Sequence, residues 1–522
     1  MTVGATCAAP AFEFVRWRGE EENVQTWSRD GLLSVVRAEA ALIAGRTVAG
    51  DRVVVAHPPG PAFVAAFLAC LASGRIAVPA PAPMTAASRA AVERLAAATD
   101  ATLVLTRGDS PAETPGAVAD AFVDAPHDED IAYLQFTSGS TEAPRGAVIT
   151  HGALRANIAA IGDAWGLTGD DHGVFWLPPF HDMGLVGAIL APLAFGVPST
   201  LMHPAAFLQR PARWLELVSS RRATFSGGPN FAYDLATDRA PRADTDDLDL
   251  STWRVAVNGA EPVRRRTMRR FEERFAENGF RADAFAPGYG LAEAVLFVSA
   301  RRADDPPVDL YADEDAPVDC GAPGLGADIK VVDEATGAAV AEGLAGAIWV
   351  TGASLAAGYW NAPDDSAAHF GGRLEGDARG WLRTGDIGFL RDGRLHVCGR
   401  AKDVLIRSGR KTHAADVEAV VVRALGQRAA CAAFATADSA GDEDIFIIVE
   451  HATASPDAVI AKLIDAVAAA FDLTPDVIAL CAPGAVRLTT SGKTARAATR
   501  DAWRANTLAI RALWRRPVSA AA

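Results

Sequence analysis

Short apolar runs rich in β-branched residues alternate with helix-length apolar stretches through most of the chain. Residues 52–57 read as a strand, 62–72 as an apolar helix, 88–98 as an amphipathic helix and 101–106 as the next strand. The alternation continues through Ile131–Phe136, 147–150, a helix near 153–165, a strand at 254–258 and a helix over 264–278. Strands that alternate with helices predict parallel sheet with crossover helices, an α/β fold. The character changes near residue 400. Residues 389–397 read as a hairpin turning at Asp392-Gly393, and Asp-Gly is a strong tight-turn signal. Beyond it the elements are shorter. Residues 445–450 form a strand, and Ser455 with Pro456 opens a helix whose Val459, Leu463, Val467 and Phe471 share a face. The expected architecture is a large N-terminal domain of mixed sheets with crossover helices (1–400), a hinge, and a small α+β C-terminal domain (401–522).

Composition narrows the partners. The net charge is −14, so the chain does not track a nucleic-acid backbone. Any polyphosphate must be held by loop amides, a few Lys or Arg, and a metal ion. The six cysteines are scattered, with no CxxC pair, which fits a reducing compartment without disulfides or a zinc site. The N-terminus lacks a basic stretch followed by an apolar run, so no signal peptide is expected. Residues 183–202 carry no charge but contain Gly184, Gly187, Pro192, Gly196 and Pro198. They read as buried core rather than a membrane span. A cytoplasmic protein is expected.

Five clusters carry candidate chemistry. Thr137-Ser138-Gly139-Ser140-Thr141-Glu142-Ala143-Pro144-Arg145-Gly146 lies between two strands. Its hydroxyls and loop amides can wrap anionic oxygens, although an ordinary Ser/Thr/Gly turn reads the same way. It is not a P-loop: the only matching Gly-Lys-Thr is Gly492-Lys493-Thr494, and Arg487 stands where the first glycine is required. The second cluster is Phe180-His181-Asp182 after Pro178-Pro179, suited to the mouth of an apolar pocket or to satisfying buried backbone. The third pairs Asn258-Gly259-Ala260-Glu261 with Gly288-Tyr289-Gly290-Leu291-Ala292-Glu293. Small residues admit a flat base, Tyr289 offers a stacking face, and Glu293 is a candidate Mg²⁺ ligand. The fourth sets Asp386 near Arg400 and Lys402, and the fifth places Lys493 on a loop. Each could also be a surface turn.

The phrases LQFTSGST, LPPFHDMGL, SGGPNFAYDL, NGAEPV, GYGLAEA and RTGDIGFL run in this order over nearly the whole chain. Together they resemble the adenylate-forming superfamily of acyl-CoA synthetases, peptide-synthetase adenylation domains and luciferases, and within it the fatty acyl-AMP ligases. Ala292, where the superfamily usually has Thr, fits that group. The resemblance implies that Thr137, Ser138, Gly139, Ser140, Thr141 and Arg145 hold the ATP triphosphate. It implies that Gly259, Ala260 and Tyr289 hold adenine, with Asn258 and Gly290 also binding the nucleotide, that Glu293 binds Mg²⁺, and that Asp386 and Arg400 hold ribose. His181 would gate a carboxylate pocket lined by Phe180, Asp182, Ser226, Gly227 and Gly228. Lys402 would be the hinge of a mobile C-terminal domain, and Lys493 would meet the carboxylate and the α-phosphate.

The implied activity is ATP-dependent conversion of a carboxylic, by default fatty, acid to acyl-AMP, followed by transfer to the phosphopantetheine of an acyl carrier protein. An acyl-CoA synthetase on the same fold is the alternative acceptor reading, and a non-catalytic nucleotide- or acyl-binding relic is the alternative of another class. Three positions depart from the pattern. Glu142 and Arg145 stand where the superfamily usually has Gly and Lys. Lys411-Thr412-His413 replaces a loop that commonly carries Asn and Tyr. The stretch 297–320, where fatty acyl-AMP ligases carry an insertion linked to excluding CoA, is short and acidic. An acidic carrier would meet a basic patch. Arg264, Arg265, Arg266, Arg269 and Arg270 offer one on an expected helix, but the preferred reading is a solvated face balanced by Glu272 and Glu273. The protein is expected to be a monomer.

Overall fold

The computed structural model describes residues 10–108, 121–136, 145–314, 316–407, 410–426, 429–437, 443–489 and 493–517. They form two compact units. The larger contains Arg145–Thr384, Gly388–Val397 and the described chain before them; the smaller contains Gly385–Ile387 and the described part of Cys398–Ala522.

The larger unit holds three sheets. The first runs Leu103–Leu105, Arg52–Val55, Ile76–Pro79, Ile131–Phe136 and Gly146–Thr150. Its first four strands are parallel, and the fifth returns antiparallel. Val53, Val54 and Val55 are wholly buried, as a central strand covered on both faces requires. The helix Pro61–Ala72 opens with proline at its first turn, where a missing N–H costs nothing. Its Phe63 and Phe67 fill the core beside Tyr133.

The second sheet has nine strands, in the order Ala322–Pro323, Phe297–Ala300, Phe285–Gly290, Val255–Asn258, Phe225–Gly228, Gly173–Phe175, Ser199–Met202, Pro10–Arg18 and Glu21–Ser28. Both faces are buried. One packs Phe225, Phe175 and Phe297 against Trp165; the other packs Trp214, Tyr233, Trp253 and Phe271. The N-terminal hairpin that extends this sheet has no sequence signal comparable to the inner strands. Residues 21–26 of its outer strand are exposed and mostly polar, which protects an open edge.

Residues 183–202 are core, as expected. Met183–Leu190 is a π-helix, Ala191–Phe195 an α-helix ended by left-handed Gly196, and Ser199–Met202 an inner strand. Among the described residues no helix is long and apolar enough to cross a membrane. In the third sheet Asp377–Arg391 pairs with Arg394–Arg400. The turn between them places Asp392 at φ 52° and Gly393 at φ 71°, the two positive values of the tight hairpin turn that the sequence predicts.

The smaller unit has a four-stranded sheet in the order Cys431–Ala437, Glu443–Glu450, Val477–Cys481 and Ile510–Arg515. Its helices are Ala414–Leu425, Pro456–Phe471 and Arg496–Arg504. On Pro456–Phe471 the buried face is Ile460, Leu463 and Val467, with Val459 and Phe471 at its margins. Ser455 occupies the N-cap position, but its side chain makes no capping bond.

Candidate active site

Glu293 sits at the tip of a connection between two antiparallel strands, Phe285–Gly290 and Phe297–Ala300. Its carboxylate is anchored at one oxygen: the Tyr359 hydroxyl donates to Glu293 Oε1 at 2.8 Å. Its other oxygen accepts no hydrogen bond from a described residue. Burial, reinforced by the Glu293 carboxylate, pushes the Tyr359 hydroxyl well above the usual phenol range, so it remains a donor. The same ring lies under the Arg145 guanidinium at 4.9 Å, an attraction between cation and π-face. Arg145 also meets His369 Nε2 at 3.0 Å. Tyr359 is held there because 357–360 run along the strand Gly146–Thr150, with Val148 donating to Gly358 and Trp360 to Gly146. Two residues far apart in sequence, Arg145 and Glu293, are thus joined through a tyrosine that sequence reading missed. Thr137, Ser138, Gly139, Ser140 and Thr141 lie outside the described residues.

The segment 176–184 is fixed at both ends. Trp176 stacks on Phe207 at 4.2 Å. Gln135 donates to the Phe180 carbonyl at 3.1 Å, and Asp182 Oδ1 accepts from Met183 N at 2.7 Å. A Cβ on Gly184 would lie 2.1 Å from the Pro178 carbonyl oxygen, so only glycine lets the π-helix start this close to the Pro-Pro bend. π-Turns concentrate at functional sites. The His181 ring rests against Phe180 at 4.8 Å. Beside this segment is an apolar cavity of about 30 Å³, lined by Phe14, Phe175, Leu177, Pro179 and Met202 among others.

Asn258, Gly259, Tyr289 and Gly290 converge because their strands are parallel neighbours, Asn258 opposite Pro287. A Cβ on Gly259 would come within 2.9 Å of Gly288 O, and one on Gly290 within 1.8 Å of Leu296 O. Ala260 adopts φ 67°, a left-handed conformation uncommon for a residue with a Cβ. Asn230 fixes the orientation of Asn258. Asn230 Oδ1 accepts from Arg264 N and its Nδ2 donates to Pro262 O, so Asn258 must donate to Asn230 Oδ1 at 3.2 Å. That leaves Asn258 Oδ1 buried without a partner among the described residues. A buried acceptor left open is costly, so a ligand donor or an ordered water would complete it. Tyr289 is buried in its strand.

Ser226, Gly227 and Gly228 follow one another along an inner strand. Ser226 Oγ is buried, accepts from Trp214 Nε1 at 2.9 Å and donates to the Val174 carbonyl. Its hydroxyl is therefore committed to the core beneath the sheet rather than to an open pocket. Gly227 permits close strand pairing, since a Cβ there would lie 2.2 Å from Val257 O, and Gly228 makes room for the Trp176 ring.

In the smaller unit Asp386 is buried and lies 3.3 Å from Arg400. Lys402 is exposed on the single turn Ala401–Asp403. Lys493 N donates to Thr489 Oγ1 at 3.1 Å, and Thr489 N donates to Lys493 O at 2.7 Å, closing the lysine loop at its base. Thr490, Ser491 and Gly492 lie outside the described residues. Three residues beyond Lys493, Arg496 forms a fork on Glu418, 2.7 Å at each nitrogen, and reaches Asp403 at 2.7 Å. One arginine thus ties the lysine loop to the turn that carries Lys402.

The basic helix does not present a free patch. Arg265 is buried and donates to the carbonyls of Asp309, Asp313 and Ala316. Arg266 and Arg269 pair with Glu314, and Arg270 with Asp234 and Asp238. Arg265, Arg266 and Arg269 hold the acidic stretch at Asp309, Asp313, Glu314 and Ala316, and Arg394 holds it at Asp305 and Asp319. Most of the charge proposed for docking is spent internally.

A family model described as AMP-binding enzyme matches residues 5–360. The medium-chain-fatty-acid–[acyl-carrier-protein] ligase JamA of Moorena producens is 34% identical over 94% of this chain and 92% of its own length. The long-chain-fatty-acid–AMP ligase FadD28 of Mycobacterium tuberculosis is 33% identical over 95% of each. The fatty acyl-adenylate ligase of Legionella pneumophila, solved with acyl adenylate and pyrophosphate, superposes with a TM-score of 0.70 at 32% identity, covering 97% of this chain and 95% of that one. With relatives aligned nearly end to end and the family match spanning well over half of it, this chain belongs to the AMP-binding enzyme family, the adenylate-forming ligases, and its relatives there include fatty acyl-AMP ligases.

Proposed function

We propose that this protein activates a fatty acid with ATP to give acyl-AMP and pyrophosphate, then passes the acyl group to the phosphopantetheine of an acyl carrier protein. The observation that carries the activation step is the Arg145–Tyr359–Glu293 connection, and the Asn258–Gly259 turn, with its buried acceptor and close backbone, suits a nucleotide base. The carrier step rests on likeness to JamA, named as an acyl-carrier-protein ligase.

In this reading a fatty carboxylate oxygen attacks the α-phosphorus, and the bond to the bridging oxygen of pyrophosphate breaks. Negative charge gathers on the α-phosphate oxygens, and Lys493 is the cation proposed to offset it. Arg145 would bind phosphate oxygens, Asp386 the ribose hydroxyls, and His181 would border the acid's carboxylate. Glu293, with one oxygen held by Tyr359 and the other accepting from no described residue, fits a Mg²⁺ ion that needs only one or two protein carboxylates and keeps its waters. Bound Mg²⁺ would supply charge neutralisation on the phosphates.

Acid-dependent exchange of labelled pyrophosphate into ATP tests the reading. Lys493→Ala is expected to lower exchange by about 10²–10³ while ATP binding survives. Wild-type exchange in that variant would remove Lys493 from the chemistry.

A further inference from the structure

Asn157 lies inside the helix His151–Trp165 and is completely buried. Asparagine is a poor helix former, and a buried polar side chain on an apolar face needs a reason. Its amide is fully engaged, across to the connection that carries Glu293. Asn157 Nδ2 donates to Ala294 O at 3.1 Å and to Phe297 O at 2.8 Å, and Phe297 N donates to Asn157 Oδ1 at 3.1 Å. Two carbonyls and one N–H leave the amide a single workable orientation.

The bonds bracket a strained turn. Val295 has φ 65° and ψ −60°, and Leu296 N donates to Ala294 O at 2.7 Å. This is the rare strained form of the γ-turn, and a β-branched residue at positive φ is an outlier. Such conformations persist only where the surroundings over-determine them, and they cluster at active sites. Val295 is itself buried in the core. The turn's neighbours are fixed too: Ala356 N donates to Glu293 O at 2.8 Å, and the chain at Leu296 passes so close to Gly290 that no other side chain fits there.

We propose that Asn157 is a positioning residue: by clamping both sides of the Val295 turn it holds Glu293 in the orientation the reaction uses. The inference rests on the reading of Glu293 as the Mg²⁺-binding carboxylate. Partners that orient a metal ligand typically contribute about 10–100-fold to metal affinity or activity.

The test compares Asn157→Ala, Val295→Gly and the double variant with Glu293→Gln in the full chain. Calorimetry measures ATP binding as Mg²⁺ is titrated without acid, and the midpoint of pyrophosphate exchange against Mg²⁺ is read separately. Asn157→Ala is expected to raise the Mg²⁺ midpoint in both assays about tenfold. Val295→Gly removes the strain, because glycine adopts positive φ freely, so it should leave the midpoint within about twofold. Added to Asn157→Ala, it should bring the midpoint back toward wild type even where the melting temperature stays low. A merely structural Asn157 would lower the melting temperature and leave the midpoint alone, and that result overturns the inference. So does a double variant that is no better than Asn157→Ala. If Asn157→Ala does not fold, Asn157→Gln, which moves the amide out of register, carries the same comparison. If Glu293→Gln itself keeps the wild-type midpoint, the reading of Glu293 fails independently of Asn157.

Discussion

Tyr359→Phe removes one oxygen atom and leaves the ring beneath Arg145. The lost group is the only described donor to the Glu293 carboxylate, at 2.8 Å. A hydrogen bond to a charged group contributes about 1.5–3 kcal/mol. At about 1.4 kcal/mol per decade of rate, losing it should reduce adenylate formation by about 10–100-fold. The loss should be partly recovered at high Mg²⁺, because what is lost is the aim of a ligand and not the ligand. The assay is acid-dependent pyrophosphate exchange over a Mg²⁺ series, with melting temperature as control. Tyr359→Ala should lose more, since the Arg145 platform goes as well. A Tyr359→Phe enzyme with wild-type rate and wild-type Mg²⁺ dependence would refute the claim that this hydroxyl sets Glu293.

Other outcomes follow from the packing. Gly184→Ala forces a Cβ against the Pro178 carbonyl and should cost about 1–3 kcal/mol, read as a lower denaturant midpoint together with lost exchange activity. Arg496→Met strands Glu418 and Asp403. It should destabilise the small unit by somewhat less than the roughly 3–5 kcal/mol of a fully buried pair, and adding Glu418→Leu should recover part of that in melting experiments. Burial pushes the Cys320 thiol up to about 12 and the Cys398 and Cys481 thiols to about 11, with Cys70 and Cys431 also raised. Iodoacetamide at neutral pH should therefore leave activity intact through these five positions, and inactivation mapped to any of them would contradict the burial.

The sequence was most legible where one physical requirement dominates. The inner strands Arg52–Val55 and Ile131–Phe136 are apolar but for Arg52 and Gln135 because both their faces are covered. The Asp392-Gly393 turn shows because few residues accept two positive φ values in succession. Glycines at 184, 259 and 290 stood out within their motifs, and the close approaches explain them. The exposed hairpin strand Glu21–Ser28 was silent because an edge strand is held by its neighbour's backbone rather than by buried side chains. Tyr359 and Asn157 were illegible for another reason. Each acts through a contact with a residue more than sixty positions away, and no local pattern marks such a partner. The partners of the Ser226 hydroxyl were illegible too, because the Trp214 indole and the Val174 carbonyl that hold it come from other elements. The arginine-rich helix was legible in part: Glu272 and Glu273 were visible as local counter-charges, whereas Glu314, Asp234 and Asp238 reach it only through the fold.

The most direct test of the account is product analysis. The protein is incubated with ATP, Mg²⁺ and a series of acids from acetate to palmitate, with and without CoA, and the products are identified by mass spectrometry. The account predicts acyl-AMP from a fatty acid, accumulating without CoA and not consumed when CoA is added. Acyl-CoA in the CoA tubes would overturn the proposed acceptor, and the absence of acyl-AMP with every acid, from protein that binds ATP, would contradict the central claim.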